Sequence, residues 1–94
     1  MNTKNLQYFL TVADEHSISA AARKLYIAQP SLSQYIRRIE ESVGAPLFKR
    51  TPNGLELTDV GQQFYITAMK TESLWKNFTS NLVRQTVSAE ISDK

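Results

Sequence analysis

The stretch that most constrains this chain is residues 17–50, where a short Ala-rich run and a longer amphipathic run are separated by a few residues around Pro30. Ser17 is placed to cap a helix whose apolar stripe is Ile18, Ala21, Ala22 and Leu25, with Arg23 and Lys24 pointing away. The Ala side chains allow another helix to cross closely, as a tight helix-turn-helix requires. Pro30 lacks an N–H and has a fixed φ, so it suits the first turn of a new helix beginning near Gln29. That helix buries Leu32, Ile36, Ile39 and Val43 and stops at Gly44, with Pro46 behind it. Two helices in this order present the second one to the major groove of DNA.

Upstream, Leu6, Phe9, Leu10 and Ala13 share one stripe of a helix over residues 3–15, which Asn2 or Thr3 can cap. Tyr8 and Val12 lie on its other side, so the helix is expected between two neighbours. Downstream, Leu47–Thr51 and Leu55–Thr58 flank Pro52-Asn53-Gly54. The Asn-Gly pair signals a hairpin, because both residues tolerate positive φ. Thr58 and Asp59 then start a helix with no Pro or Gly after Gly61, expected to reach about residue 88. Phe64, Ala68, Thr71, Trp75, Phe78 and Leu82 repeat at 4-3-4-3-4 spacing, a coiled-coil seam that most simply meets a second copy of itself. The architecture read from these elements is mainly α: a winged helix-turn-helix of three helices and a small hairpin wing, followed by a long dimerisation helix. The expected division is residues 1–58, residues 59–88 and a frayed tail, 89–94.

Charge is uneven. Residues 1–50 carry Lys4, Arg23, Lys24, Arg37, Arg38, Lys49 and Arg50 against Asp14, Glu15, Glu40 and Glu41, whereas the rest is slightly acidic, for a total of +2. A basic front half suits a polyanion. There is no Cys and a single His, so neither a disulfide frame nor a structural zinc is expected. No apolar run approaches the roughly 18 residues of a membrane span, and the start lacks a signal-peptide layout, which points to a cytoplasmic protein. No cofactor is expected.

With Leu32 centred on the buried face, Pro30, Gln34, Arg37, Arg38 and Glu41 lie opposite, flanked by Ser31 and Ser33 and led by Gln29. Amides, hydroxyls and guanidinium groups are the side chains that read base edges and hold phosphates. Standing alone, the same face would read as ordinary solvated surface. Lys49 and Arg50 at the base of the wing can hold phosphates or reach the minor groove, although a lysine on an edge strand also deters aggregation. His16 reads as a helix-end residue, since no nucleophile or carboxylate accompanies it as a triad would require. Glu40 and Glu41 diverge by about 100° on a helix and cannot converge on a substrate, and Glu40 is expected to pair with a nearby Arg.

In order and spacing, Leu6-x-x-Phe9, Ser17-x-x-x-Ala21-Ala22-x-x-Leu25, Gln29-Pro30-Ser31-Leu32-Ser33-x-x-Ile36-x-x-Ile39-Glu40, Gly44-x-Pro46-Leu47-Phe48-x-Arg50 and Leu57-Thr58-x-x-Gly61 follow one pattern. Together they resemble the amino-terminal part of the LysR-type transcriptional regulators. The resemblance implies a homodimer on double-stranded DNA, reading an interrupted inverted repeat near a promoter, with higher oligomers in longer forms. It assigns base reading to Gln29, Pro30, Ser33 and Gln34, with Arg37 nearby, and wing contacts to Arg50 and Thr51. Ser31, Arg38, Lys49 and Asn53 are candidate backbone or wing contacts. It further implies nucleoid association, and an effector domain beyond the linker helix that this stretch would not include, leaving no small-molecule site. The chain departs from the pattern at Ala28, where a capping Ser or Thr is usual, and at Gln34, where Arg is frequent. Asn53 and Glu56 replace commonly basic wing positions. Ala28 and Glu56 also suit an alternative reading, an interaction module that assembles but does not bind DNA. A small enzyme has no nucleophile–base or metal constellation to support it.

Overall fold

A computed structural model of the protein describes residues 3–92, with side chains placed for residues 4–84. The chain forms α1 (Thr3–Glu15), α2 (Ile18–Leu25), α3 (Gln29–Val43), β1 (Phe48–Thr51), β2 (Gly54–Leu57) and α4 (Asp59–Ser92). The expected cap of α1 at Asn2 or Thr3 lies outside the described side chains. Helix α4 passes the expected end at 88, while Asp93 and Lys94 lie outside the described residues. No described helix is long and apolar enough to cross a membrane.

Helix α1 is the centre of the core. Leu6, Phe9, Leu10 and Ala13 are buried on one side, and Tyr8 and Val12 on the other. It packs on α2, α3 and α4 and on the edge of the wing, which is why it is apolar nearly all round. The Phe9 ring meets Phe64 of α4 edge-on at 4.8 Å and Phe48 of β1 at 5.3 Å, so one aromatic joins helix, long helix and wing. Tyr8 meets Tyr35 of α3 edge-on at 5.0 Å.

The helix-turn-helix forms for the reasons its sequence suggests. Ser17 caps α2, its Oγ accepting from the Ala20 N–H at 3.1 Å, and Ala21 and Ala22 are buried. The turn uses a residue the pattern did not indicate: Tyr26 closes α2 in the left-handed region, φ 57°. The Ile27 N–H then returns to the Ala22 carbonyl at 3.1 Å, satisfying the helix end as a glycine would allow more cheaply. Helix α3 begins at Gln29 behind Ala28, which has the extended backbone of a cap but no capping side chain. It ends at Gly44, φ 87°. Leu32, Ile36 and Ile39 are buried as expected. Val43, expected on the same buried stripe, is 38% exposed in the last turn of α3.

The wing pairs Phe48 with Leu57, Lys49 with Glu56, Arg50 with Leu55 and Thr51 with Gly54. Its turn is shifted from the expected one. Pro52 and Asn53 are the central residues, and only Gly54 takes positive φ, at 106°. The Thr51 hydroxyl accepts from the Asn53 N–H at 3.2 Å and donates to the Gly54 carbonyl at 3.0 Å, so the side chain closes the turn. The wing is tied back at its base. Glu40 Oε2 accepts from the Leu47 N–H at 2.8 Å and from the Phe48 N–H at 3.4 Å, replacing the expected partnership with an arginine. A carboxylate here serves two amide donors that α3 cannot otherwise reach.

Thr58 starts α4 as expected, its Oγ1 accepting from the Gly61 N–H at 3.0 Å and donating to the Pro46 carbonyl at 2.7 Å. The seam on α4 is only partly free. Phe64 packs against Phe9 and Ala68 is buried in the same core, while the Thr71 hydroxyl bonds back to the Thr67 carbonyl at 2.8 Å. The first two seam residues therefore face this chain's own α1 and are not available to a second copy. Trp75, Phe78 and Leu82 are 51%, 56% and 50% exposed, with Leu74 and Val83 beside them.

Candidate nucleic-acid interface

The start of α2, the leading face of α3 and the inner side of the wing enclose an open groove of about 420 Å³, with Gln29, Ser33, Arg50 and Thr51 on its walls. An adjoining hollow of about 290 Å³ shares Ser33 and Arg50 and adds Arg37. Five of the expected readers, from the consecutive elements α3 and β1, thus line the groove and its adjoining hollow. Arg50 belongs to the groove and its neighbour Lys49 does not. Lys49 lines a depression on the other face of the wing together with Glu56, its cross-strand partner. Glu56 therefore does not crowd the groove, and the doubt it raised in the sequence does not extend to Arg50.

Pro30, Ser31, Gln34, Arg38 and Asn53 are exposed but do not line the groove. Helix geometry places Gln34 and Arg38 together one turn apart, and Pro30 one turn before Gln34, on the open rim of α3. Asn53 sits at the wing tip. The groove also has walls that the motifs did not single out, namely His16, Ser17 and Ser19. Ser17 and Ser19 place their hydroxyls 3.0 Å apart at the start of α2. Their signal in the sequence was Ser17-Ile18-Ser19 before the Ala run, but Ser17 reads there only as a cap.

The electrostatic character is simple. Among the described residues the one salt bridge joins Lys24 to Glu15 at 3.5 Å, away from the groove. The guanidinium groups of Arg37 and Arg50 meet no carboxylate at salt-bridge distance among those residues. Arginine on a polar concavity is suited to bidentate phosphate or guanine contacts.

A tri-helical core, a helix with an exposed polar leading face and a hairpin beside it define a winged helix-turn-helix protein. Comparison with known proteins makes this specific. The family model for bacterial regulatory helix-turn-helix proteins of the LysR family matches residues 3–62, and the chain belongs to that family. The HTH-type transcriptional regulator BudR of Klebsiella aerogenes is 50% identical over 70 residues, covering 74% of this chain and 49% of that protein. The HTH-type transcriptional regulator AlsR of Bacillus subtilis is 48% identical over 64 residues, 68% of this chain and 21% of that one. The chain thus spans less than two thirds of either relative. Among solved structures, the BenM DNA-binding domain in its catB site 1 DNA complex superposes with a TM-score of 0.88 at 36% identity, covering 94% of this chain and 95% of that one. The CbnR DNA-binding domain in its DNA complex gives 0.80 at 29% identity, covering 93% and 99%.

Proposed function

We propose that this chain is a sequence-specific DNA-binding regulator that acts as a dimer, reading an interrupted inverted repeat near a promoter. Residues 1–58 are the reading domain, and α4, which runs past the expected end at 88 to Ser92, is the linker and dimerisation helix. Helix α3 enters the major groove, with Gln29, Pro30, Ser33, Gln34 and Arg37 at base edges. Arg50, Thr51 and Asn53 of the wing hold the backbone or the adjacent minor groove, and Ser31, Arg38 and Lys49 are outlying backbone contacts. The observation that carries this reading is the groove, which gathers Gln29, Ser33 and Arg50 around a space open to a polyanion. The likeness to DNA-binding domains of BenM and CbnR, whose structures include DNA, supports it. Dimerisation is supported by the exposure of the apolar side chains of Trp75 and Phe78, their rings 5.9 Å apart, with Leu82 half-exposed on the same stripe.

Selection of bound duplexes from a random pool, followed by salt titration, tests the proposal. Affinity should fall with a log–log slope of about −0.9 for each displaced phosphate contact. Gln34→Ala should change the preferred sequence, and Arg50→Ala should weaken all sequences alike. A flat salt response with no duplex retained would overturn the proposal, and recovery of unpaired half-sites alone would remove the dimer from it.

A further inference from the structure

We infer that His16 is a positioning residue for the wing, gripping Leu55 and thereby holding Arg50 across the groove from Gln29 and Ser33. The inference rests on the DNA-binding reading and deepens it. His16 ends α1 in the left-handed region, φ 56°, its own N–H bonded to the Val12 carbonyl at 3.0 Å. From there it meets both backbone groups of one wing residue. The Leu55 N–H donates to the His16 carbonyl at 2.9 Å, and His16 Nδ1 lies 3.2 Å from the Leu55 carbonyl oxygen. A carbonyl only accepts, so Nδ1 carries the proton and donates.

Leu55 is the cross-strand partner of Arg50. In an antiparallel pair, residues alternate between bonding their partner and turning their backbone groups outward. With both groups of Leu55 turned to His16, the outer edge of β2 is held by one backbone and one side-chain bond, and the hairpin bearing Arg50 is fixed to the helix-turn-helix. Gly54 completes the fit. A Cβ there would lie 2.8 Å from the His16 carbonyl oxygen, and its φ of 106° excludes other residues as well. His16 itself lines the groove beside Arg50 and, on the far side, the depression holding Lys49 and Glu56. It therefore sits at the hinge line about which a free hairpin would swing. Glycine would adopt this backbone with less strain, so the imidazole has a use that outweighs its conformational cost.

Three variants of the chain test this: His16→Gly, His16→Asn and Arg50→Ala, with a selected duplex followed by anisotropy across a salt gradient. His16→Gly keeps the left-handed turn and the carbonyl bond but deletes the side-chain donor, so its unfolding midpoint should not fall below that of the unmodified chain. Its DNA affinity should nonetheless drop about tenfold, with a salt slope shallower by about one phosphate contact. His16→Asn, which tolerates positive φ and offers a short N–H donor, should recover part of the loss. In an Arg50→Ala background, His16→Gly should cost less than about twofold more, because the contact it positions is already gone. In the DNA-free chain, imidazole 15N shifts should report a proton on Nδ1. Unaltered affinity in His16→Gly, or a loss that adds in full to that of Arg50→Ala, would overturn the inference while leaving the DNA-binding reading intact. An unmodified chain that retains no duplex would remove both.

Discussion

Replacing Gly61 by Ala tests how α4 is seated. At an ordinary helical position this change stabilises by about 1 kcal/mol, since glycine loses the most backbone freedom on folding. Here the added Cβ would lie 2.0 Å from the Leu47 carbonyl oxygen, against 3.4 Å or more for ordinary contact. Neither side gives easily. Leu47 is fully buried and its N–H is held by Glu40, while its carbonyl accepts from the Thr58 N–H at 3.0 Å. Opening the gap by an ångström or more costs that bond, about 1 kcal/mol. It also disturbs Phe64 and Ala68 against α1, for which overpacking costs about 1–3 kcal/mol. Set against the propensity gain, the net loss is about 2 kcal/mol, a fall of roughly 8–16 °C in a domain of this size. Thermal unfolding followed by helical dichroism, at one protein concentration so that association does not shift the midpoint, measures it. A midpoint equal to or above that of the unmodified chain would refute the reasoning, because it would mean the helix is not pressed on the Leu47 backbone.

The remaining predictions concern the groove's supports. Glu40→Ala leaves the buried Leu47 N–H without its acceptor and should cost about 1–3 kcal/mol in chemical denaturation, with Glu40→Gln losing clearly less; equal losses would mean the bond contributes nothing. Ala28→Ser adds a side-chain acceptor where the backbone already has cap geometry, φ −69° and ψ 138°, and should stabilise by about 1 kcal/mol; an unchanged midpoint would show that the start of α3 is satisfied by other means. The Tyr65 phenol donates to Asp14 Oδ1 at 2.7 Å, and that bond, with burial and the Asp14 charge, raises its pKa above 10.0. The unfolded chain then ionises first, so stability present below about pH 10 is lost as pH rises through the folded value, and the unmodified chain should lose ground to Tyr65→Phe over that window. Parallel stability curves for the two proteins between pH 9 and pH 11 would exclude it.

Local signals carried much of the fold. Ser17 and Thr58 cap the helices they precede, Gly44 ends α3, and the apolar stripes of α1 to α3 face the core, with Ile18 and Leu25 only half-buried and Val43 exposed. What sequence spacing could not supply was the identity of partners. Glu40 has arginines nearby in sequence, yet two backbone amides hold it, because those amides are brought in by a turn no periodicity reveals. Adjacent basic residues, Lys49 and Arg50, part company as soon as they lie on a strand. His16 reads in sequence as a helix-end residue, which it is, but its bonds to Leu55, 39 residues away, depend on a left-handed backbone that no spacing reveals. A seam at coiled-coil spacing likewise states only that a stripe is covered, and not by what.

That last ambiguity bears on how two reading heads would be spaced. Along α4, Gly61 lies on Leu47, Tyr65 reaches Asp14 near the end of α1, and Glu72 accepts from Gln7 Nε2 at 2.7 Å near its start. Rising residue numbers on α4 thus meet falling ones on α1, so the two helices run antiparallel and the first four turns of α4 are fixed to the domain. The same stripe that buries Ala68 in this chain's core is already exposed at Thr71 and carries exposed apolar side chains from Trp75, only three residues beyond Glu72. At about 1.5 Å per residue, under 5 Å of helix separates the domain-held part from the part open to a partner, and no Gly or Pro lies between them. In the proposed dimer, the phase of the seam relative to the groove is therefore set by unbroken helix. Spacing between half-sites is then a property of α4 geometry, and adjustment between the two heads must come from the seam beyond Trp75 or from the DNA.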